Sequence, residues 1–312
     1  MADTVNGIVS LFVMMAVGFA LYKAGWIEAK GEALLVKLTL KIAVPCALFC
    51  NAVTHLGKGL AVDDPLCFIL PAATIGFTLA LGVVMVRVLR VPKRQQGVAS
   101  TIFAISNTII IGLPVCTSIF GDAGIPYVIL YYAANTIIFW TVGAALVAAD
   151  GGEKFRLGWK SLRRVFSPAL VGFLLGALVV VTKITVPTAI YKGINTLGQM
   201  NTGICMILVG ASIAKLGFRE MFRFGRAGIF AMCGRAFIGP AIVLAACLLL
   251  GLKGTPARVY LVMAAMPAMN QSVPVAKNVG ADDLLSARLL SASALIMMVT
   301  VPVLVMVAEK LL

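Results

Sequence analysis

The chain has 312 residues, of which 61% are apolar and only 12% charged, and its mean hydropathy is +1.03. A soluble domain carries about a quarter charged residues, so the composition excludes one and reads as an integral membrane protein with room for about ten spans and short loops. The net charge of +14 does not point to nucleic acid, because the basic residues stand in short loops between apolar runs, where the positive-inside rule places them.

Apolar runs predict a first span over 6–24 and a second over 34–53, with Lys37, Lys41 and Pro45 inside it. A third covers 65–86. The fourth, 97–122, is long enough to cross a bilayer but carries Ser106, Asn107, Thr108, Gly112 and Pro114 in its middle. Proline removes a backbone donor and clashes with the preceding turn, so this helix is expected to break at Pro114. In hydrocarbon, freed N–H and C=O groups cost on the order of several kcal/mol unless protein, water or a ligand satisfies them. A break is therefore expected to be buried in protein or to line a cavity. The fifth span, 125–148, holds Asn135 and Trp140, and a basic linker over 150–166 follows. The sixth covers 168–181, the seventh 194–214, and the eighth 227–250 with Arg235 and Pro240. The ninth, 257–282, has the anatomy of the fourth, with Pro267, Asn270, Gln271, Ser272, Pro274 and Lys277. The tenth is 284–307.

The two interrupted stretches match at an offset of 160: Pro114-Val115 becomes Pro274-Val275, and Asp122 becomes Asp282. Two broken helices at matching positions in two halves point to the binding site of a secondary transporter. The halves are 1–149 and 167–312, five spans each. The loops after spans one, three, five and seven carry Lys23 and Lys30; Arg87, Arg90, Lys93 and Arg94; Lys154, Arg156, Lys160, Arg163 and Arg164; and Lys215, Arg219, Arg223 and Arg226. The other side carries only Lys58, Lys183, Lys192, Lys253, Arg258 and Lys310. The first set is expected to be cytoplasmic, with both termini on the non-cytoplasmic side of a cell inner membrane. An odd number of spans per half inverts the second half relative to the first.

Charge narrows the cargo. The carboxylates fall in tails, loops or helix ends, whereas Lys37, Lys41, Arg235, Lys277 and Arg288 lie within predicted helices. A charge at a helix centre costs about 2.5–3.5 kcal/mol on insertion scales. Lys37 and Arg288 are expected to snorkel to a membrane face; Arg235 and Lys277 are not so easily placed. Embedded positive charge, and helix N-termini at the breaks, suit an anion whose carboxylate oxygens take hydrogen bonds from amides and hydroxyls. The seven cysteines show no metal or disulfide spacing and His55 stands alone, so no cofactor and no metal are expected. The first apolar run reads as a full span rather than a cleaved signal.

These residues resemble the auxin efflux carrier family, whose bacterial members include malonate and malate permeases. The resemblance is carried by Asn107-Thr108-Ile109-Ile110-Ile111-Gly112-Leu113-Pro114 with Phe120-Gly121, by Pro45-Cys46-Ala47-Leu48-Phe49, by Asn135 and Trp140, and by Pro267 with Ala276-Lys277. It implies an all-α membrane fold of ten helices in two inverted five-helix repeats, with broken helices four and nine crossing. It also implies a scaffold from helices 1, 2, 6 and 7, a transport domain from helices 3–5 and 8–10, an elevator-like motion and a homodimer. Asn107 matches a crossover asparagine that holds a carboxylate in plant members; at Asn270 the spacing departs from the family pattern.

The expected function is secondary active or potential-driven transport of a small organic acid anion, a dicarboxylate such as malonate first among them. The site residues would be Asn107, Gly112, Pro114, Asn135, Arg235, Pro267, Asn270, Gln271, Ser272, Pro274 and Lys277. A proton is favoured over sodium as coupling ion, since no carboxylate lies at mid-membrane. The alternatives are a channel or receptor for organic anions, or a carrier of a monocarboxylate or auxin-like aromatic acid. An intramembrane enzyme is disfavoured by the absence of catalytic groupings.

Overall fold

The computed structural model describes residues 2–56, 65–152 and 168–312. The part of the basic linker from 153 to 166, and Lys58, lie outside them. The described residues are helical throughout apart from turns and one isolated antiparallel bridge. In chain order the helices are α1 (Ala2–Lys23), α2 (Ala29–Leu38), α3 (Val44–Leu56), α4 (Leu66–Val88), α5 (Lys93–Ala104), α6 (Leu113–Phe120), α7 (Ile125–Ile138) and α8 (Ala144–Asp150). There follow α9 (Pro168–Val181), α10 (Thr188–Leu216), α11 (Phe218–Met221), α12 (Arg226–Cys233), α13 (Gly239–Leu250), α14 (Thr255–Ala264), α15 (Ser272–Val279) and α16 (Asp283–Leu311).

Six described segments are long and apolar enough to cross a membrane: Ala29–Thr54, Leu66–Val88, Thr108–Asp150, Thr188–Lys215, Arg226–Leu250 and Asp283–Leu311. The second of the two interrupted stretches is absent from this set for a physical reason. At about 1.5 Å per residue, α14 and α15 reach only part of the way across a bilayer of about 30 Å, and the chain between them is not helical.

The interruption in the first stretch is not where proline was expected to put it. Helix α5 ends at Ala104, and Ile105 is extended (φ −93°, ψ 122°). Pro114 instead stands near the start of α6, within a helical run that continues from Thr108. A π-helical turn, Thr108–Gly112, leads into it. The same arrangement recurs twice. A π turn at Thr39–Ala43 precedes Pro45, and one at Gly234–Ile238 precedes Pro240. Proline in a continuous helix orphans the carbonyl four residues earlier; a widened turn just ahead of it re-registers the ladder. Pro274 likewise falls in the first turn of α15. Only Pro267 lies in a break itself.

The chain divides into two compact units. The first comprises Met1–Asp64, Ile109–Pro126 and Arg164–Lys215; in it α9 packs along α3, and α1 against α6. The second comprises Pro65–Thr108, Tyr127–Arg163 and Leu216–Leu312. The division falls inside the first interrupted stretch, between Thr108 and Ile109, whereas the second stretch stays whole.

The core of the second unit is built around α5 and α14. Every residue of α5 from Gly97 to Ala104 is buried, as are Val259 to Ala264 of α14. Helix α5 packs against α4, α8 and α12. The Phe103 ring stacks on Phe230 at 4.6 Å, and the Tyr260 hydroxyl donates to the Cys67 carbonyl at 2.6 Å. The N–H groups of Gly97 and Val98 donate to the two carboxylate oxygens of Asp150, 2.8 Å each. Gly234 faces the Phe103 ring so closely that a Cβ would run into it. Gly234→Val is therefore expected to destabilise the protein by about 1–3 kcal/mol or more through overpacking, and Pro114→Ala to have a far smaller effect. Thermal unfolding of the two purified variants checks the contrast.

Candidate functional site

Leaving a helix inside apolar surroundings exposes backbone donors and acceptors, and each must find a partner. At Ser106 and Ala268 the two interrupted stretches pair with each other as a single antiparallel bridge. The Asn107 N–H donates to the Pro267 carbonyl at 2.7 Å. The Asn135 side chain, fully buried on α7, serves Ser106 on both sides. Its Oδ1 accepts from the Ser106 N–H at 3.0 Å, and its Nδ2 donates to the Ser106 carbonyl at 2.9 Å. One amide side chain thus stands in for a neighbouring strand. On the other stretch the Ala268 N–H donates to Ser293 Oγ of α16 at 3.0 Å.

The last carbonyls of the two half-helices meet on one side chain. Arg235 projects from the π turn between α12 and α13 and is 3% exposed. Its Nη2 donates to the carbonyls of Ala104 and Ala264, 3.0 Å each. These residues are the ends of α5 and α14, and they lie 160 positions apart, the offset of the sequence repeat. A helix C-terminus carries roughly half a negative charge, so two together offset about the whole charge of the guanidinium. That explains how an arginine is buried here with carbonyls in place of a carboxylate partner. Its Nε and Nη1 have no acceptor among the described residues.

Beside this frame the Asn107 and Asn270 side chains touch, with Asn107 Nδ2 donating to Asn270 Oδ1 at 3.0 Å. Asn107 is 3% exposed, and Asn270 is half-buried. Ser272, buried at the start of α15, donates to the Met269 carbonyl at 2.7 Å and accepts from Ser286 Oγ at 3.0 Å.

Of the residues expected at the site, the structure brings Asn107, Asn135, Arg235, Pro267 and Asn270 together around the crossing, with Gln271 and Ser272 next in the chain. It does not bring the rest there in the same way. Gly112 and Pro114 are buried in the first unit. Pro274 is exposed, and Lys277 is exposed in the last turn of α15. Arg288 is at a helix end as expected. It bonds Glu220 at 2.8 Å, and Arg223, with Arg288, holds the Glu220 carboxyl below its usual range. Sequence reading missed Ser293, although serines at 286, 291 and 293 in an otherwise apolar helix were a signal for buried polar contacts. It also missed that Arg235 would serve both half-helices, which no spacing in the sequence announces.

The arrangement can present amide donors to a small polar ligand inside the membrane. Comparison with known proteins agrees in kind. A family model described as "membrane transport protein" matches residues 4–305. An uncharacterized transporter from Methanothermobacter thermautotrophicus is 28% identical over 295 residues, covering 90% of each chain. Another from Methanocaldococcus jannaschii is 22% identical over 266 residues, covering 83% of each.

Removing the Arg235 donors leaves two buried carbonyls unbonded, at about 1–3 kcal/mol each. Arg235→Met is expected to lower the unfolding temperature sharply. Arg235→Lys, which keeps a charge and three donors, is expected to retain most of it. Thermal unfolding in detergent checks the order of the three proteins.

Proposed function

The chain belongs to the membrane transport protein family, that of the auxin efflux carriers, and from that premise we infer that it is a secondary carrier of a small organic acid anion, a dicarboxylate such as malonate. The observation that carries this reading is the contact between Asn107 and Asn270 where two interrupted helices cross. Carboxylate oxygens accept hydrogen bonds and donate none when ionised. A bound carboxylate would take the place of Asn270 Oδ1 as acceptor for Asn107 Nδ2, and Asn270 would turn its own amide donors to the ligand. The N-terminus of α15, beginning at Ser272, adds partial positive charge, with Gln271 and Ser272 beside it. Pro267 shapes the second break and Pro274 the first turn of the helix after it; Gly112 and Pro114 shape the helix that follows the first.

Arg235 has a positioning role in this reading, because its Nη2 is taken up by Ala104 and Ala264. Lys277 provides the balancing positive charge for a second carboxylate, or the group whose proton is exchanged. Ten spans in two inverted repeats, alternating access by an elevator-like movement of the unit that bears the crossing, a homodimer in the inner membrane and proton rather than sodium coupling complete the proposal. The division of the chain into two compact units supports a two-body carrier.

Thermal-shift titration of detergent-purified protein against mono- and dicarboxylates, with and without sodium, tests the substrate class. A ligand at a hundredfold excess over its Kd stabilises the folded state by about 2.7 kcal/mol. Malonate or a near relative is expected to raise the unfolding temperature, and Asn107→Ala to abolish that rise while the protein stays folded. Near-normal binding by Asn107→Ala removes the crossing as the site. Lys277→Gln is expected to weaken dicarboxylates more than their neutral diamides; an equal loss for both removes its charge role.

A further inference from the structure

A cavity lies within the first unit, apart from the contact between Asn107 and Asn270. It is open, has a volume of about 420 Å³ and is lined by α3, α10, and the segment from α6 to the start of α7. Gly198 lets α10 come up against the backbone of Ala47, where a Cβ would meet the Ala47 amide nitrogen at 2.8 Å, and the cavity opens beside that approach. Besides threonine hydroxyls, its polar wall includes four amides, Asn51, Asn195, Gln199 and Asn201, one phenol, Tyr191, and one carboxylate, Asp122. Tyr191 is held by a 2.9 Å hydrogen bond to Thr54. Among the described residues, no lysine, arginine or histidine lines it.

Asp122 distinguishes this cavity from a passive gap. Its counterpart 160 residues on, Asp282, is fully engaged. Asp282 Oδ1 caps α16 by accepting from the Leu285 N–H at 2.8 Å, and Oδ2 accepts from Gln95 at 2.8 Å. Asp122 also precedes a helix, α7, yet its side chain caps nothing and makes no hydrogen bond or ion pair among the described residues. An unengaged carboxylate at a cavity whose described lining holds no basic residue repels anions and attracts cations. The amides offer both donors and acceptors to hydroxyl groups, and the Tyr191 ring offers its face to a cation. The volume lies in the range of about 300–1,000 Å³ typical of small-molecule sites.

We propose that this cavity binds a small polyhydroxylated organic cation. It is a second binding site, opposite in charge preference to the crossing. Three hexoses of one frame test it on the detergent-purified full chain: D-glucosamine, D-glucose and D-glucuronate. All titrations are run in the Asn107→Ala background as well as in the unaltered protein, so that binding at the crossing does not contribute. D-Glucosamine is expected to raise the unfolding temperature in both backgrounds and to bind about tenfold tighter than D-glucose, with D-glucuronate silent in Asn107→Ala. Asp122→Asn, which alters an exposed side chain that makes no bond, is expected to bring D-glucosamine down to the level of D-glucose. Asn195→Leu is expected to weaken both. The proposal is overturned by the absence of any shift with D-glucosamine, by D-glucuronate binding as tightly in Asn107→Ala, or by a D-glucosamine preference that survives Asp122→Asn. Failure of the anion reading shows separately, as malonate binding that Asn107→Ala leaves intact.

Discussion

A backbone that leaves its helix in hydrocarbon has no water to bond with, and the second unit is organised around that constraint. Four devices meet it at one place. The two interrupted segments bridge each other at Ser106 and Ala268. Asn135 pairs both backbone groups of Ser106, Ser293 accepts from Ala268, and Arg235 donates to the ends of α5 and α14. Three of the four come from segments outside the two stretches, α7, α16 and the turn that bears Arg235, so the breaks are maintained by tertiary structure. This is also why α5 and α14 are buried on all sides: elements carrying an unpaired terminus are the ones that cannot face lipid.

The electrostatics follow from the same geometry. Two half-helices end on one guanidinium, and their dipoles together offset about its full charge. The backbone frame of the crossing is thus close to neutral. What the crossing offers is directed amide donors and the N-terminus of α15 rather than surplus charge. A buried group that is already compensated is a scaffold for a site and a poor measure of its cargo. The first unit presents the reverse case, with a carboxylate that no described residue compensates, beside a cavity lined in part by amides.

The prolines show how local chemistry and tertiary context divide the work. Pro45, Pro114 and Pro240 each follow a widened turn, and Pro114 and Pro240 sit in the opening turn of the next helical segment. None of the three ends a span. The actual interruption of the first stretch, at Ile105 to Asn107, contains no proline, and it exists because partners for its backbone are supplied from α7 and from the second stretch. In the second stretch Pro267 does take part, and its carbonyl becomes the acceptor for the Asn107 N–H.

The sequence alone determined that this is a helical membrane protein, because 12% charged residues cannot cover a soluble surface. It determined that two matching stretches are interrupted, and it singled out Asn107, Asn135, Arg235 and Asn270 as polar groups within apolar runs. Polar side chains in an apolar run are expensive, and that makes them visible. Tertiary structure decided which of them meet. It placed the first break seven residues or more ahead of Pro114, turned Arg235 from a suspected ligand into the shared cap of two helix ends, and left Lys277 exposed. It also divided the first interrupted stretch between two units and not the second. Those outcomes depend on which helix supplies a partner to which backbone group, and a contact between residues 131 positions apart, such as Arg235 with Ala104, leaves no mark in local spacing.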